Sequence, residues 1–449
     1  MARPVLPAMR AAAMLAAILL AAAMSPAQAS ATAIEDLARL NARAHADRES
    51  GNTRDRVQCV LEIERLLNDA PNAVRAAARV YAEAGDTPNA LAALERYARL
   101  GQSDPILLSG ADARFAPLAK QPRYRAILRQ LAANARPVSR AERALVFADA
   151  GLLAEDIDYD AGSDSFLITS VLEDKIVRVA RDGRAADFAS SPSGWPMLAI
   201  KIDAGHGRVW ATEVGLSGFD VVPEGGRGRS ALLAFNLLTG ALESRVQGPD
   251  GAEFGDLALT RDGQPLLSDG TRGGVYRLSG NQLERLDRGE FISPQTPVAH
   301  PDGRHLLIPD YARGIGVLDL QTRALTWLGS DAHHALYGID GLYLHGTRLI
   351  ATQNGANPER VVTFGIDGSL RRIGSELIVE RATPTLGDPT HGVAVGPFFY
   401  YIANSGWDQL DEHGRVKTGG HLTPALLMRF RLEPPLPHRP AHPAPPLPA

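Results

Sequence analysis

Residues 338–355 read GIDGLYLHGTRLIATQNG. Ile339, Leu342 and Leu344 give an apolar run, Gly346-Thr347 a tight turn, and Leu349, Ile350 and Ala351 a second apolar run. This is the pattern of a β-hairpin. Its ends are polar: Asp340 opens the first strand, and Gln353 and Asn354 close the second. The same plan recurs in IDYDAGSDSFLITS, IKIDAGHGRVWAT, LALTRDGQPLLSD, VAHPDGRHLLIPD and GVAVGPFFYYIAN. The second strands begin near Phe166, Val209, Leu266, Leu306, Leu349 and Phe399, about 40 to 57 residues apart. The longest interval holds the insertion SGFDVVPEGGRGR, and another is lengthened around ERATPTLGDPT. A third run follows each hairpin: KIVRVA, SALLAFNL, GGVYRLS, GIGVLDL, RVVTFGI and ALLMRFRL.

Six modules of three to four strands at this period predict a mainly β chain folded as a six-bladed β-propeller over residues 155–434. A lone blade leaves both faces apolar and its edges unpaired. Packing six around an axis buries the faces, and a borrowed outer strand closes the ring. Residues 136–154 are the expected linker, with ALVF near Ala144 supplying that strand beside ALLMRFRL.

Upstream, residues 31–135 predict a small all-α region. VQCVLEIERLL sets Val57, Val60, Leu61, Ile63 and Leu67 near one helical face. NAVRAAARVYAEAG and NALAALERYARLG flank a Gly-Asp-Thr-Pro turn in which Thr87 is the expected cap and Pro88 the first-turn residue. The stretch resembles a tetratricopeptide-type repeat, which implies a docking surface for a protein partner or a domain cap rather than a catalytic unit. Residues 1–29 read as a secretory signal: Arg3 and Arg10, an uncharged Ala11–Met24, and Ala27-Gln28-Ala29 before the expected cut. Removal of that segment predicts a periplasmic or secreted chain without a membrane span. The Pro-rich residues 435–449 predict a disordered tail. The single cysteine, Cys59, excludes an intrachain disulfide and reads as a small buried hydrophobe. The net charge of −4 and the absence of Lys/Arg blocks exclude an electrostatic nucleic-acid binder.

In a propeller the start of each inner strand faces one mouth of the axial channel. Those positions hold Glu155 and Asp156, Met197, Asp256, Gln295 and Thr296, Asp340, and His391. Three converging carboxylates, Glu155, Asp256 and Asp340, repel one another unless they are protonated or share a cation. Oxygen ligands with an amide suit Ca²⁺ or Mg²⁺. The competing reading is local: such residues also satisfy backbone donors at strand ends, as expected for Asp269 and Asp310. Asn354 and Asn404 are candidates to close the mouth with amides around a small-molecule ligand. His391 reads either as a packed histidine or as a base. His333 and His334 form a loop pair without zinc-ligand spacing.

AEDIDYDAGSDSFLITSVLEDKIVRVARDG, FGDLALTRDGQPLLSDGTRGGVYRL and GIDGLYL resemble the gluconolactonase/regucalcin-like superfamily of six-bladed propellers. The resemblance spans roughly Leu153–Leu432. It implies an axial divalent metal, with Ca²⁺ expected, held by Glu155, by Asp340 of Asp340-Gly341, and by an amide position that falls on Gln295 or Thr296. Gly255, beside Asp256, stands where a substrate-contacting asparagine is expected. Asp256 or His391 is then the general base, and Gln295, Asn354 and Asn404 are the substrate contacts. No GxSxG elbow supports a serine hydrolase. Two functions stay open: an exported metal-dependent hydrolase of lactones or small esters, and a non-catalytic binding propeller with a helical docking region.

Overall fold

The structure is a computed structural model that describes residues 31–329 and 334–432. The expected signal segment, His333 of the loop pair and the Pro-rich tail lie outside the described residues.

Alternating apolar runs separated by turns fold into six antiparallel sheets. The inner strands of the six blades are Ala154–Asp160, Met197–Asp203, Phe254–Leu259, Val298–Ala299, Leu342–His345 and Gly392–Val395. In the hairpin of residues 338–355, His345 pairs with Arg348 and Leu344 with Leu349. The turn between them is two residues long, and Gly346 takes its first position at φ 60°. That left-handed conformation matches the twist of the flanking strands and is open to glycine at little cost.

The ring closes through the segment that leaves the helices. Glu142–Val146 pairs with Leu426–Arg431 as the outer strand of blade six. Val138–Ser139 first adds a short edge to blade five, pairing Val138 with Arg381. One linker thus covers the outer edges of two neighbouring blades.

Packing between blades is apolar. Val298, Leu307 and Val317 of blade four meet Leu342, Leu349, Val362 and Phe364 of blade five. Leu167 and Ile176 of blade one meet Met197, Ile200 and Val209 of blade two. Met197, the one apolar residue among the mouth positions, spends its side chain in that seam. Polar stitches cross the same seam. The Asp156 carboxylate accepts from the Ile200 amide at 2.9 Å and the Lys201 ammonium at 2.7 Å. Asp158 accepts from the Ile202 amide at 2.6 Å.

Upstream, helices Pro71–Glu83 and Thr87–Arg99 form the expected antiparallel hairpin, with Val74, Ala78, Leu91 and Leu94 in its core. The cap is Asp86 rather than Thr87: the Asp86 carboxylate accepts from the Asn89 amide at 3.2 Å, and Thr87 is already helical. Cys59 is fully buried, with its Sγ 3.1 Å from the Leu40 carbonyl. Among the described residues no helix is long and apolar enough to cross a membrane.

The helices sit on one face of the ring. The Ala33 amide donates to Gly289 O at 2.9 Å, Asn68 Nδ2 to Arg313 O at 3.0 Å, and the Ser103 amide to Asn357 O at 2.6 Å. Asn72 bonds the Tyr337 hydroxyl. Each of these partners lies at a strand start or an outer turn on the rim where Asp340 also lies.

Candidate axial site

The strands bring Glu155, Asp340 and His391 from blades one, five and six to the axis. Each offers a ligand atom, and those atoms all lie within 4.8 Å of one another. All three side chains are buried, Asp340 and His391 to 1% exposure. Each opens an inner strand just after a turn, so ring closure alone makes them neighbours.

Asp256 of blade three enters from the side. Its Oδ1 lies 2.8 Å from His391 Nε2 and accepts from Thr296 Oγ1 at 2.6 Å. His391 Nδ1 lies 3.0 Å from the Glu155 carbonyl, and Thr390 Oγ1 donates to the same carbonyl at 2.8 Å. With both ring nitrogens facing acceptors, the imidazolium form fits: each N–H has a partner. Burial alone would lower the His391 pKa. The charges of Asp156, Asp256 and Asp340, with the hydrogen bond to Asp256, outweigh it and raise the pKa to about 10. Burial pushes Asp256 above the usual carboxylate range, against the pull of His391. The repulsion expected among three carboxylates is therefore relieved in part by the buried ion pair between Asp256 and His391.

Asn354, which closes the hairpin opened by Asp340, turns back onto it. Its Nδ2 donates to Asp340 Oδ2 at 2.7 Å, while its Oδ1 accepts from the Tyr311 hydroxyl at 2.9 Å. Gln353 points the other way: its amide nitrogen donates to the Ala335 and Tyr337 carbonyls, and its oxygen accepts from Arg360 Nε. Glu155 Oε2 accepts from the Trp407 indole N–H.

Two expected mouth residues serve their own blades instead. Gln295 Nε2 donates to Ser293 O at 3.3 Å and Ser293 Oγ at 3.0 Å. The extra methylene of Gln295 lets its amide nitrogen fold back onto Ser293. Asn404 caps the last strand: its Oδ1 accepts from the Leu426 amide at 2.6 Å and its Nδ2 faces Pro424 O at 3.3 Å. Asp269 and Asp310 cap turns, as expected. Asp269 Oδ1 accepts from the Thr271 and Arg272 amides, both at 3.0 Å, and Asp310 Oδ1 from Ala312 at 2.9 Å.

The sequence reading missed Trp407, Tyr311 and Lys201. Trp407 and Tyr311 stand on outer turns, and the long loop carrying Trp407 interrupts the last module without a composition signal. An aromatic residue inside such an insertion, as in ANSGWD, is the one cue that was present.

No family model matches this chain, and no curated protein matches it. Solved structures do. The gluconolactonase of Xanthomonas campestris aligns at 15% identity over 66% of this chain and 99% of its own, with a TM-score of 0.44. A virginiamycin B lyase of Staphylococcus aureus aligns at 10% identity over 65% and 99%, with a TM-score of 0.42. An aldose sugar dehydrogenase of Streptomyces coelicolor, solved with PQQ bound, aligns at 13% identity over 66% and 99%, with a TM-score of 0.43. Their names span three different chemistries, so the reading of the site stays with the residues of this chain.

Proposed function

We propose that the chain is an exported hydrolase of lactones or small esters that depends on a divalent cation at the axis. The convergence of the Glu155, Asp340 and His391 ligand atoms within 4.8 Å, from three separate blades, carries this reading. Two carboxylates and an imidazole are a fitting donor set for a divalent ion. The carboxylates suit Ca²⁺ or Mg²⁺, and the imidazole widens the choice to Mn²⁺ or Zn²⁺. Such an ion would polarise a carbonyl and lower the pKa of bound water.

The protein groups have definable parts. Asn354 fixes the Asp340 carboxylate, and Trp407 fixes that of Glu155. His391 carries a proton near neutral pH, so in this arrangement it is a proton donor rather than a ready base. Recruiting its nitrogen as a ligand requires loss of that proton, which makes binding of the ion pH-dependent. Asp256 holds the ring in place by accepting from its Nε2–H and balances the imidazolium charge.

A second reading has its own support. Each acid of the cluster already has protein donors, and Trp407 and Tyr311 stand over it, as suits a non-catalytic binding propeller with the helices as a docking region for a protein partner. A panel of δ-valerolactone, γ-butyrolactone and phenyl acetate, assayed with and without EDTA, separates the two. EDTA-sensitive turnover that Asp340→Asn abolishes supports the hydrolase. A panel without turnover at any added Ca²⁺, Mn²⁺ or Zn²⁺ leaves the binding propeller.

A further inference from the structure

The channel has a second end. On the rim away from the helices, five blades enclose a cavity of about 860 Å³. Its wall is mainly aliphatic and aromatic: Leu259, Val298, Leu342, Leu344, Ile366 and Phe399. Lys201, Thr296 and Tyr343 bring polar groups to the inner end, and His300, His345 and Asp367 also line the cavity. Two protons of the Lys201 ammonium go to Asp156 Oδ2 and Ile200 O, both at 2.7 Å. Its third has no protein acceptor among the described residues, although the side chain is only 15% exposed. Thr296 is the floor shared with the axial cluster, since its hydroxyl bonds Asp256.

The volume falls within the range of pockets that enclose small ligands, and an apolar wall with a few convergent polar groups is their usual make-up. At the helix-side mouth Glu155 and Asp340 are buried; Trp407 bonds the Glu155 carboxylate, Tyr311 the Asn354 amide, and Asn72 of the helical region bonds Tyr337 beside Tyr311.

We propose that this cavity is a binding site for a small molecule with an aliphatic body and one acceptor oxygen. It enters from the rim opposite the helices and sets its oxygen against Lys201. The body displaces water from Leu259, Val298 and Leu344, which stand in front of the buried Leu342 and Phe399, and the oxygen takes the spare ammonium proton. The site stands whether or not the axial cluster holds a cation.

The test is calorimetric titration of the full chain with butanoate, hexanoate and octanoate. Affinity is expected to rise about fourfold per added methylene, as burial of the chain predicts. Ala394→Trp, at the exposed rim of the cavity, and Leu344→Trp, on its wall, each lower octanoate affinity tenfold or more. Asp340→Asn leaves octanoate binding in place even where it removes the response to metal, so loss of the hydrolase reading does not remove this site. Absence of octanoate heat overturns the proposal. So does equal affinity for butanoate and octanoate, or octanoate binding unchanged by Ala394→Trp in a folded protein.

Discussion

The two ends of the propeller axis are built from the same inner strands but in opposite chemistry. At the helix-side end, strand starts place Glu155, Asp256, Asp340 and His391 together, all buried and hydrogen-bonded. At the other end, a few residues along the same strands, Leu259, Val298, Leu342 and Leu344 line a cavity. A β-strand turns successive side chains to alternate faces, and six strands wrapped around one axis repeat that choice at each level. The polar end is costly to assemble and specific in its contacts. The apolar end is tolerant, and its stability is a matter of packing.

Breaking the polar end should have the largest effect. His391→Leu leaves Asp256 buried without its cationic partner, and removing one member of a buried ion pair costs about 3–5 kcal/mol. Equilibrium urea unfolding measures the loss. His391→Gln, which keeps a donor, should recover part of it. At the apolar end Leu342→Ala, at a residue 1% exposed, should cost about 2–4 kcal/mol by removing methyl groups from a packed seam. The two costs differ in kind: only the first should shrink when the buffer is acid enough to neutralise Asp256.

A further variant sharpens the comparison by separating a buried acid with a counter-charge from one without. Burial raises Asp269 to about 6, despite three backbone donors, and its Oδ2 has no partner among the described residues. The folded state therefore binds its proton more tightly than the unfolded chain, whose carboxyl titrates near 3.8. Stability from this group is fully present below about pH 4 and is lost as pH rises through 6, by roughly 2–3 kcal/mol. Asp269→Asn should flatten the unfolding free energy across that window. A profile as steep as that of the unaltered protein would contradict the assignment. Smallest of these effects, Tyr311→Phe removes the hydroxyl that holds Asn354 and should cost about 1 kcal/mol in the same urea measurement.

These contrasts also explain what the sequence could show. The blades were legible because strand, tight turn and strand recur at one period, and the period alone implies a ring. Glu155, Asp340 and His391 were legible as mouth residues because each precedes an apolar inner strand, so their meeting follows from closure. Side-chain direction was not legible. Gln295 and Asn404 stand at plausible positions, yet one added methylene and one strand end turn their amides onto Ser293 and Leu426. Lys201 was invisible as a partner of Asp156 because the register between neighbouring blades is set by packing rather than by any spacing in the chain. Trp407 and Tyr311 reach the cluster from outer turns whose paths depend on the finished fold. In the helical hairpin Asp86 was one residue from the expected cap, because Asp-Thr-Pro offers two side chains able to accept the same amide.

The central claim is that acids from distant blades form one cation site at the helix-side end of the axis. Thermal melting after EDTA treatment, followed by added Ca²⁺ or Mn²⁺, tests it most directly in the unaltered chain and in Asp340→Asn. A bound ion stabilises the folded state by mass action, by about 2.7 kcal/mol at a hundredfold excess over its dissociation constant. The account predicts a melting temperature that rises with one of these ions in the unaltered chain and does not move in Asp340→Asn. Equal shifts in both proteins, or none in either, would contradict it.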